Sequence, residues 1–282
     1  MKKILVIANS YKDTYLEVTN KIEEYAKKKG LLCDHILTDV GEEIIVPARH
    51  KDCEGFIVLG GDGTFIHAAK QAAKMDVPVI GFNLGTLGYL CELEEDTLGE
   101  AIDRMLSDDF DIEERMMLSG VIIDNGEVKR KDVAINDVVI HRGGNLRVLN
   151  FIIYVNGEHL YTYTADGIII STPTGSTGYS MSAGGPIVEP SAKLMVVTPI
   201  NPHILNGKSI ILSANDEVVI EIGDGRRKEK EEALVTFDGG ESIQVYSRDK
   251  IYVSRGEKSA KILKLNNRSF LKTLSKKMQN YS

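Results

Sequence analysis

The chain has 282 residues, 43% of them hydrophobic, and a formal net charge of -7 at pH 7. This length is enough for one large or two medium domains with sizeable cores. The acidic charge argues against a general nucleic-acid-binding protein, because such proteins use a basic surface to displace counterions. No apolar run is long enough for a membrane span or a signal-peptide core, so we expect a cytoplasmic protein with no membrane partner.

The first part of the chain alternates predicted strands with predicted helices. A helix is predicted at 65–74 and another at about 97–106, while an earlier helical stretch ends near Gly30. The alternation is typical of a parallel α/β sheet. Apolar runs predict its strands at 4–8, 31–37, 56–59 and 77–82.

Strands dominate from Leu118 onward. Asn125-Gly126 and Asn156-Gly157 each separate two apolar runs, which predicts two tight hairpin turns. An all-β second domain is therefore expected. Further strands are predicted at 167–171, 193–198, 210–212, 218–222, 233–237 and 251–254.

These patterns divide the chain into an α/β domain at 1–115, an all-β domain at 116–262 and a helical tail at 263–282. In the tail, Phe270, Leu271, Leu274 and Met278 recur at helical spacing. An apolar stripe of this kind predicts a final amphipathic helix that packs back on the N-terminal domain.

A glycine-rich loop, Gly60-Gly61-Asp62-Gly63-Thr64, follows the predicted strand at 56–59 and precedes a predicted helix. Such a turn points backbone N–H groups and the positive end of the helix dipole at one place, where phosphate can bind. The glycines let the backbone approach a ligand closely. Asp62 is the only acid or base in this phosphate loop, and it either performs chemistry or only caps the helix.

A second glycine loop, Asn83-Leu84-Gly85-Thr86-Leu87-Gly88-Tyr89-Leu90, follows the strand at 77–82. Because parallel sheets bind ligands at the carboxyl ends of their strands, we expect both loops to face one crevice. An ordinary connection between elements is the alternative. Either way, the two loops should lie at the same edge of the sheet.

The segment 171–186 is unusually rich in hydroxyl groups and glycines. Hydroxyls can donate to phosphate or accept from a base edge, and Tyr179 offers a flat apolar face with a polar tip. A disordered linker is the alternative, but strong apolar runs flank the segment. A ligand-binding segment is therefore the better interpretation.

Neither the cysteines nor the histidines suggest a metal site. Cys33, Cys53 and Cys91 are odd in number and far apart, which predicts reduced thiols rather than disulfides or a zinc site. The six histidines never pair at metal-ligand spacing. No metal bound by protein side chains is therefore expected.

Taken together, these segments resemble the NAD kinases, also called ATP or polyphosphate NAD kinases. The phosphate loop alone is also shared with diacylglycerol, sphingosine and phosphofructokinase relatives, whereas the long segment at 166–187 is not. The resemblance implies a Rossmann-like α/β N-terminal domain with a parallel sheet, a C-terminal β-sandwich, and a homotetramer or homodimer. It rests on GGDGT at 60–64, NLGTLGYL at 83–90, Asn136-Asp137, the segment 166–187 and Asn201-Pro202-His203.

The resemblance implies phosphoryl transfer from ATP to the 2′-hydroxyl of the adenosine ribose of NAD, giving NADP. Mg²⁺ or another divalent cation would be carried mainly on ATP, and polyphosphate is left open as a donor. Asp62 would accept the hydroxyl proton, because a ribose hydroxyl is barely acidic at neutral pH. Gly60, Gly61, Gly63 and Thr64 would hold phosphate. The residues implied to contact NAD are Asp62, Gly63, His67, Asn136, Asp137, Arg147, Thr164, Asp166, Thr174, Thr177, Gly178, Tyr179, Ser180, Met181 and Ser182.

Two alternatives stay open at this point. A lipid or sugar kinase would share only the phosphate loop. A catalytically silent NAD(H)-binding sensor would use Asp62 merely to cap a helix. The sensor does not require an unpaired carboxylate in a phosphate loop, which is why phosphoryl transfer is preferred over it.

Overall fold

The computed structural model describes residues 1–39, 43–85, 88–91, 93–144, 147–203, 207–225, 230–265 and 269–279. The chain divides into two compact units. Unit 1 comprises Met1–Glu114 and Ala260–Ser282, and unit 2 comprises Arg115–Ser259. The predicted boundaries at 115 and 262 lie close to these divisions, and the division into two domains and a tail stays a prediction. No helix in the described ranges is long and apolar enough to cross a membrane.

The helices and strands alternate in the first part of the chain, and strands dominate the second. In chain order they are β1 (Lys3–Asn9), α1 (Glu17–Lys28), β2 (Leu32–Thr38), β3 (Gly55–Gly60), α2 (Asp62–Met75), β4 (Val79–Asn83), α3 (Leu98–Leu106), β5 (Asp111–Asp124), β6 (Glu127–Ala134), β7 (Asp137–Arg142), β8 (Leu149–Val155), β9 (Glu158–Ala165), β10 (Gly167–Ser171), α4 (Tyr179–Ser182), β11 (Leu194–Ile200), β12 (Ile210–Ser213), β13 (Val218–Ile222), β14 (Glu232–Phe237), β15 (Ile243–Tyr246), β16 (Lys250–Lys264) and α5 (Phe270–Gln279).

Unit 1 is built around a parallel sheet in the order β2-β1-β3-β4. The end of β16 adds to it, with Ile262 paired in parallel to Val79. All six residues of β3 are buried, as expected for a parallel strand that is covered on both faces. Since Gly60 pairs with Asn83, the phosphate loop and the second glycine loop begin side by side at one edge of the sheet, as predicted.

Unit 2 contains two antiparallel sheets that enclose one apolar core. One sheet has the order β12-β11-β10-β7-β14-β15, and β16, β13, β8 and β9 pair in that order in the other. Both predicted hairpin turns are confirmed: Asn125 and Asn156 have φ of 49° and 51°, and each precedes a glycine with positive φ. The predicted combination of an α/β unit and a β-sandwich is confirmed.

Two strands of unit 2, β7 and β15, were not predicted. Strand β7 reads Asp-Val-Val-Ile-His-Arg, so its apolar run is only three residues long and charged or polar residues flank it. Its stability comes from its neighbours, because it pairs with β10 on one side and β14 on the other. Tertiary pairing of this kind is not visible in local sequence.

Helix α5 forms, but with a different buried face from the predicted one. Leu271 and Met278 are 68% and 61% exposed, so the prediction that they pack on the protein is wrong. The covered side instead carries Phe270, Thr273, Leu274 and Lys277, which recur at helical spacing. The Phe270 ring lies 6.4 Å from the ring of Tyr89 in unit 1. Docking of the whole tail on the N-terminal domain stays a prediction, and residues 266–268 and 280–282 lie outside the described ranges.

Candidate active site

The phosphate loop is a very short connection between β3 and α2. Strand β3 ends at Gly60, Gly61 is the N-cap residue, and the helix begins at Asp62 rather than at the predicted Phe65. A Cβ atom on Gly60 would lie 2.8 Å from the Thr64 Cβ, so the turn requires glycine there. Asn9, at the end of β1, donates from Nδ2 to the Thr64 hydroxyl at 3.2 Å. The first turn of α2 is thereby fixed with its N–H groups facing the edge of the sheet.

The Asp62 carboxylate binds the second glycine loop through three successive backbone N–H groups. Tyr89 donates to Oδ2 at 2.6 Å, and Leu90 and Cys91 donate to Oδ1 at 3.0 and 3.2 Å. We refer to this arrangement as the Asp62–amide cluster. No described residue within α2 donates to the carboxylate, which argues against the interpretation that Asp62 only caps its helix.

Gly88 makes the Asp62–amide cluster sterically possible. A Cβ atom at this position would lie 2.0 Å from Asp62 Oδ1, far inside contact distance. Thr86 and Leu87, which the sequence places in the same loop, lie outside the described residues. Glycine is therefore needed at position 88, because the Asp62 carboxylate approaches too closely for a side chain there.

Unit 2 contains a cavity of about 720 Å³. Four of the residues predicted to contact NAD line it: Asn136, Asp137, Asp166 and Tyr179. Sequence reasoning missed the other lining residues, because they lie in the unpredicted strand β7, at the ends of β11 and β14, or directly after these three strands. These are Val139, His141, Arg142, Gly143, Gly144, Ile200, Asn201, Thr236, Asp238 and Gly239.

Asp166 is held at the cavity wall by two partners. Arg142 Nε lies 2.9 Å from Asp166 Oδ1, and Asn201 Nδ2 donates to Oδ2 at 3.1 Å. These contacts fix the direction of the carboxylate. A charge-paired carboxylate of this kind is suited to accept a hydrogen bond from a polar ligand.

A second pair of acids, Asp137 and Asp238, differs sharply in its hydrogen bonds. Asp238 accepts from the backbone N–H groups of Ile135, Asn136 and Asp137 at 2.8, 2.7 and 3.1 Å, and we call this the Asp238–amide cluster. No described residue donates to the Asp137 carboxyl. Burial, with a smaller contribution from the negative charge of Asp238, raises the pKa of Asp137 to about 7. Asp137 therefore exchanges its proton near neutral pH.

Asn136 also presents unused hydrogen-bonding capacity. Its Oδ1 atom is buried and has no hydrogen-bond partner among the described residues. Buried polar atoms are normally paired, so this oxygen is available to a ligand donor or a water molecule. The backbone of Asn136 is closely packed, since a Cβ atom on Gly175 would lie 2.1 Å from its carbonyl oxygen.

The hydroxyl-rich segment is folded, so the linker alternative is wrong. It forms a 3₁₀ turn at Thr174–Thr177 followed by α4. Several hydroxyls are used internally: Ser176 donates to the Pro173 carbonyl at 2.7 Å, and Ser180 lies 3.1 Å from the Thr198 hydroxyl. The buried Thr174 hydroxyl accepts from Arg115 at 3.3 Å. The hydroxyls of Thr174 and Ser180 therefore make hydrogen bonds within the protein, and their contact with NAD stays a prediction.

Other residues of this segment have accessible side chains. Tyr179 is 49% exposed and lines the cavity, and Met181 is 38% exposed. Ser182 is exposed, while Thr177 and Gly178 are intermediate in burial. Among the predicted NAD contacts in this segment, these five are the residues that are not buried.

Three of the residues predicted to contact NAD do not line the cavity. Arg147 and Thr164 are not among the described residues that line the cavity. The Thr164 hydroxyl instead donates to Asn150 Oδ1 at 2.8 Å. His67 lies on α2 in unit 1 and is half-buried. Contacts of these three residues with NAD stay predictions.

The remaining side chains of interest are thiols and candidate metal ligands. Cys33, Cys53 and Cys91 are free cysteines. Burial raises the pKa of the Cys33 thiol to about 12, so the uncharged thiol is favoured. Within the described ranges, no group of three or more His, Cys, Asp or Glu side chains is arranged to hold a metal ion.

Comparisons with known proteins find matches for two parts of the chain. The family described as ATP-NAD kinase N-terminal domain matches residues 42–110, and that described as ATP-NAD kinase C-terminal domain matches residues 135–265. The NAD kinase of Agathobacter rectalis is 48% identical over 286 residues, which cover 100% of both chains. The NAD kinase of Lachnospira eligens is 42% identical and covers 99% of this chain and 100% of its own.

Solved structures show a similar fold. A crystal structure of yeast NADH kinase complexed with NADH matches with a TM-score of 0.86 at 22% identity, covering 99% of this chain and 88% of the other. An NAD kinase from Archaeoglobus fulgidus in complex with ATP matches with a TM-score of 0.77 at 21% identity, covering 98% of each chain. With both domain descriptions matched and relatives similar over their full length, the chain belongs to the NAD kinase family.

Proposed function

We propose that the protein transfers the terminal phosphoryl group of ATP to the 2′-hydroxyl of the adenosine ribose of NAD, giving NADP. Family membership supports this reaction, and it removes the lipid or sugar kinase alternative. The observation that carries the residue assignment is the position of Asp62, a carboxylate fixed at the head of a helix that begins directly after a glycine turn.

In unit 1, the phosphate loop supplies positioning and charge stabilisation. The N–H groups at the start of α2 and the positive end of its dipole attract the donor phosphates. Phosphoryl transfer depends mainly on such positioning and electrostatic stabilisation, because the protein itself performs little covalent chemistry. Gly60, Gly61, Gly63 and Thr64 are the residues proposed for this role.

Asp62 is proposed to accept the proton of the 2′-hydroxyl during transfer. A carboxylate has about four acceptor positions, and the Asp62–amide cluster uses three of them. Counting the donors among the described residues, one acceptor position is left for a ribose hydroxyl. The three N–H groups also hold the carboxylate in one orientation, so little reorganisation is needed when the hydroxyl arrives. The proposal requires that the 2′-hydroxyl of bound NAD come within hydrogen-bond reach of Asp62.

In unit 2, the cavity is proposed to bind the dinucleotide. Its volume of about 720 Å³ falls in the range typical of small-molecule sites. Tyr179 can stack on a planar base. Asn136 Oδ1, Asp137 and Asp166 can accept hydrogen bonds from ribose hydroxyls or an exocyclic amine. Gly63, His67, Arg147, Thr164, Thr174, Thr177, Gly178, Ser180, Met181 and Ser182 remain proposed contacts from the resemblance alone.

The remaining components follow from the chemistry of the substrates. The donor is proposed to be ATP with Mg²⁺ or another divalent cation on its phosphates, so the ion enters as part of the substrate. Polyphosphate as an alternative donor, NADH as an alternative acceptor and a homotetramer or homodimer belong to the same proposal. A cytoplasmic location is also proposed, supported by three free cysteines.

Label transfer tests this function directly. The purified protein is incubated with Mg²⁺ and ATP labelled at the γ-phosphate, in parallel with NAD, with NADH and with nicotinamide mononucleotide, which lacks the adenosine ribose. We expect label in the 2′-phosphate of NADP and none in the mononucleotide. Replacing ATP by polyphosphate in the same assay decides the donor.

One observation favours a second candidate, an NAD(H)-binding sensor. The Asp62 carboxylate already binds three backbone N–H groups, which is also what a purely structural acid would do. Binding of NAD without formation of labelled NADP in the presence of ATP and Mg²⁺ would support the sensor and contradict the kinase.

A further inference from the structure

Lys12 lies in the turn that follows β1, at the same sheet edge as the two glycine loops. Strand β1 ends at Asn9, whose carbonyl oxygen accepts the backbone N–H groups of Lys12 and Asp13 at 3.0 and 2.9 Å. Because β1 and β3 are parallel neighbours and Ala8 pairs with Leu59, this turn emerges beside the phosphate loop.

The turn is anchored by the residue after Lys12. Asp13 is only 3% exposed, and its carboxylate accepts the N–H groups of Val18 and Thr19 at 2.9 Å each. These bonds tie the turn to the start of α1, where buried carboxylate acceptors stabilise the free N–H groups. The backbone from which the Lys12 side chain extends is therefore well fixed.

The Lys12 ammonium group is directed at the glycine loops. A Cβ atom on Gly61 would lie 2.9 Å from Lys12 Nζ, and one on Gly85 would lie 3.5 Å from it. The ammonium thus lies against the bare backbone of both loops, in space that a side chain at Gly61 would have to share.

Charge makes this placement significant. Lys12 is the only lysine or arginine in the segments 10–16, 61–64 and 84–91, which follow β1, β3 and β4. It forms no ion pair with any residue in the described ranges. The N-terminus of α2 supplies only about half a positive charge, far less than the negative charge of a triphosphate. Since the ammonium has no ion-pair partner in the part of the chain that the structure describes, it is suited to an anionic ligand.

We propose that Lys12 binds the phosphate chain of the nucleotide donor as the cation of the phosphate loop. The inference rests on the proposed function, in which this loop holds the donor. It adds a residue from the turn after β1 to a site that the sequence assigns only to the loops after β3 and β4. As a flexible point charge, a lysine can contact phosphate oxygens from the side opposite the helix N-terminus.

The test compares Lys12→Met and Lys12→Arg with Lys51→Met, a control in which another exposed lysine of unit 1 loses its charge. Steady-state kinetics measure KM for ATP and for NAD, and calorimetry measures binding of inorganic tripolyphosphate without turnover. Far-UV circular dichroism checks that the variants are folded. Since a hydrogen bond to a charged group is lost, we expect KM for ATP and the tripolyphosphate Kd to rise about 10- to 100-fold in Lys12→Met.

The other expected results are specific. KM for NAD should not change, Lys12→Arg should retain most phosphate affinity, and Lys51→Met should match the wild type. Unchanged tripolyphosphate binding in Lys12→Met, or no binding to the wild-type protein, would overturn the proposal. The experiment distinguishes failure of the kinase function from failure of the Lys12 proposal. If the wild type binds tripolyphosphate through Lys12 but forms no NADP, only the kinase function is refuted. If Lys12→Met is active and fully unaffected, only the role of Lys12 is refuted.

Discussion

Two carboxylates in this chain are fixed in the same way, each by three successive backbone N–H groups. Asp62 binds the amides of residues 89–91 in unit 1, and Asp238 binds those of residues 135–137 in unit 2. Asp238 thereby holds the segment that carries Asn136 and Asp137, two proposed NAD contacts, while Asp62 holds the end of the second glycine loop. Hydrogen bonds to a charged acceptor are stronger than neutral ones, so each cluster is a rigid local support.

The close approach of Gly88 to Asp62 can be tested by adding one methyl group. In Gly88→Ala the new Cβ would lie 2.0 Å from Asp62 Oδ1, so the carboxylate or the loop must move. Since misplacement of a reacting group by about 1 Å can cost 10²-fold, we expect turnover to fall on the order of 10²-fold. Initial rates of NADP formation measure the effect.

Gly99→Ala is the matched control for this variant. Gly99 lies in α3, and an added Cβ would meet only ordinary contacts, 3.5–3.6 Å from the Tyr25 side chain. The substitution should leave turnover unchanged and raise the free energy of unfolding by about 0.5–1 kcal/mol, because alanine is favoured in helices. Equal turnover in Gly88→Ala and Gly99→Ala would contradict the proposed role of the Asp62–amide cluster.

Asp137 predicts a characteristic dependence of stability on pH. Its pKa is about 7 in the folded protein against an ordinary value of 3.8. Between these values the folded state keeps a proton that the unfolded state releases, so the free energy of unfolding falls as pH rises through this window and levels off above it. The total contribution is on the order of 4 kcal/mol at most.

The Asp137→Asn variant removes this titration while nearly preserving shape. Urea unfolding of both proteins, followed from about pH 4 to about pH 8, should show a downward slope in the wild type that is reduced in the variant. Other titrating groups are common to both proteins and cancel in the difference. Identical slopes would show that Asp137 is ionised in the folded protein throughout this range.

At the scale of elements, much of the fold follows from local sequence. The continuous apolar runs of β1 and β3 and the Asn-Gly turns predict strands and hairpins because each depends only on nearby residues. Strand β7 could not be found in this way, since its two flanking strands stabilise it. Most of the residues that line the cavity could not be predicted for the same reason, because several of them lie in β7.

The site shows the same division between local and long-range information. The glycine turn before α2 is local, and the sequence identifies it. The hydrogen bonds of Asp62 connect this turn to residues that follow 27 to 29 positions later in the sequence. No periodic sequence pattern predicts such a contact. Lys12 is a further example, since only the pairing of β1 with β3 brings it to the phosphate loop.

Helix α5 provides an element-scale prediction through Tyr89. The Phe270 ring lies 6.4 Å from the Tyr89 ring, and Lys277 Nζ lies 3.9 Å from its centroid. Tyr89 also donates its backbone N–H to Asp62. Phe270→Ala should therefore lower turnover several-fold and the free energy of unfolding by about 1 kcal/mol.

The neighbouring residue provides the control for that variant. Leu271 is 68% exposed, so Leu271→Ala should change the free energy of unfolding by no more than about 0.5 kcal/mol and leave turnover unchanged. Turnover and thermal unfolding are compared for both variants. If Phe270→Ala behaves like Leu271→Ala, α5 does not support the loop that carries Tyr89.

At the scale of the whole molecule, the two units carry different parts of the proposed chemistry. Unit 1 brings together both ends of the chain and holds the phosphate loop, Asp62 and Lys12. Unit 2 is continuous in sequence and holds the cavity with Asn136, Asp137 and Asp166. The groups proposed to bind phosphate therefore belong to unit 1 and those proposed to line the dinucleotide cavity belong to unit 2, and the proposed reaction uses both sets.

The central claim is that Asp62 accepts a proton during phosphoryl transfer to NAD. The most direct measurement is single-turnover NADP formation by Asp62→Asn, with NAD affinity determined separately by calorimetry and protection of the amides at 89–91 followed by hydrogen exchange. We expect the rate to fall on the order of 10²- to 10⁴-fold, with NAD still bound and the loop still protected. An undiminished rate in this variant would exclude Asp62 as the proton acceptor.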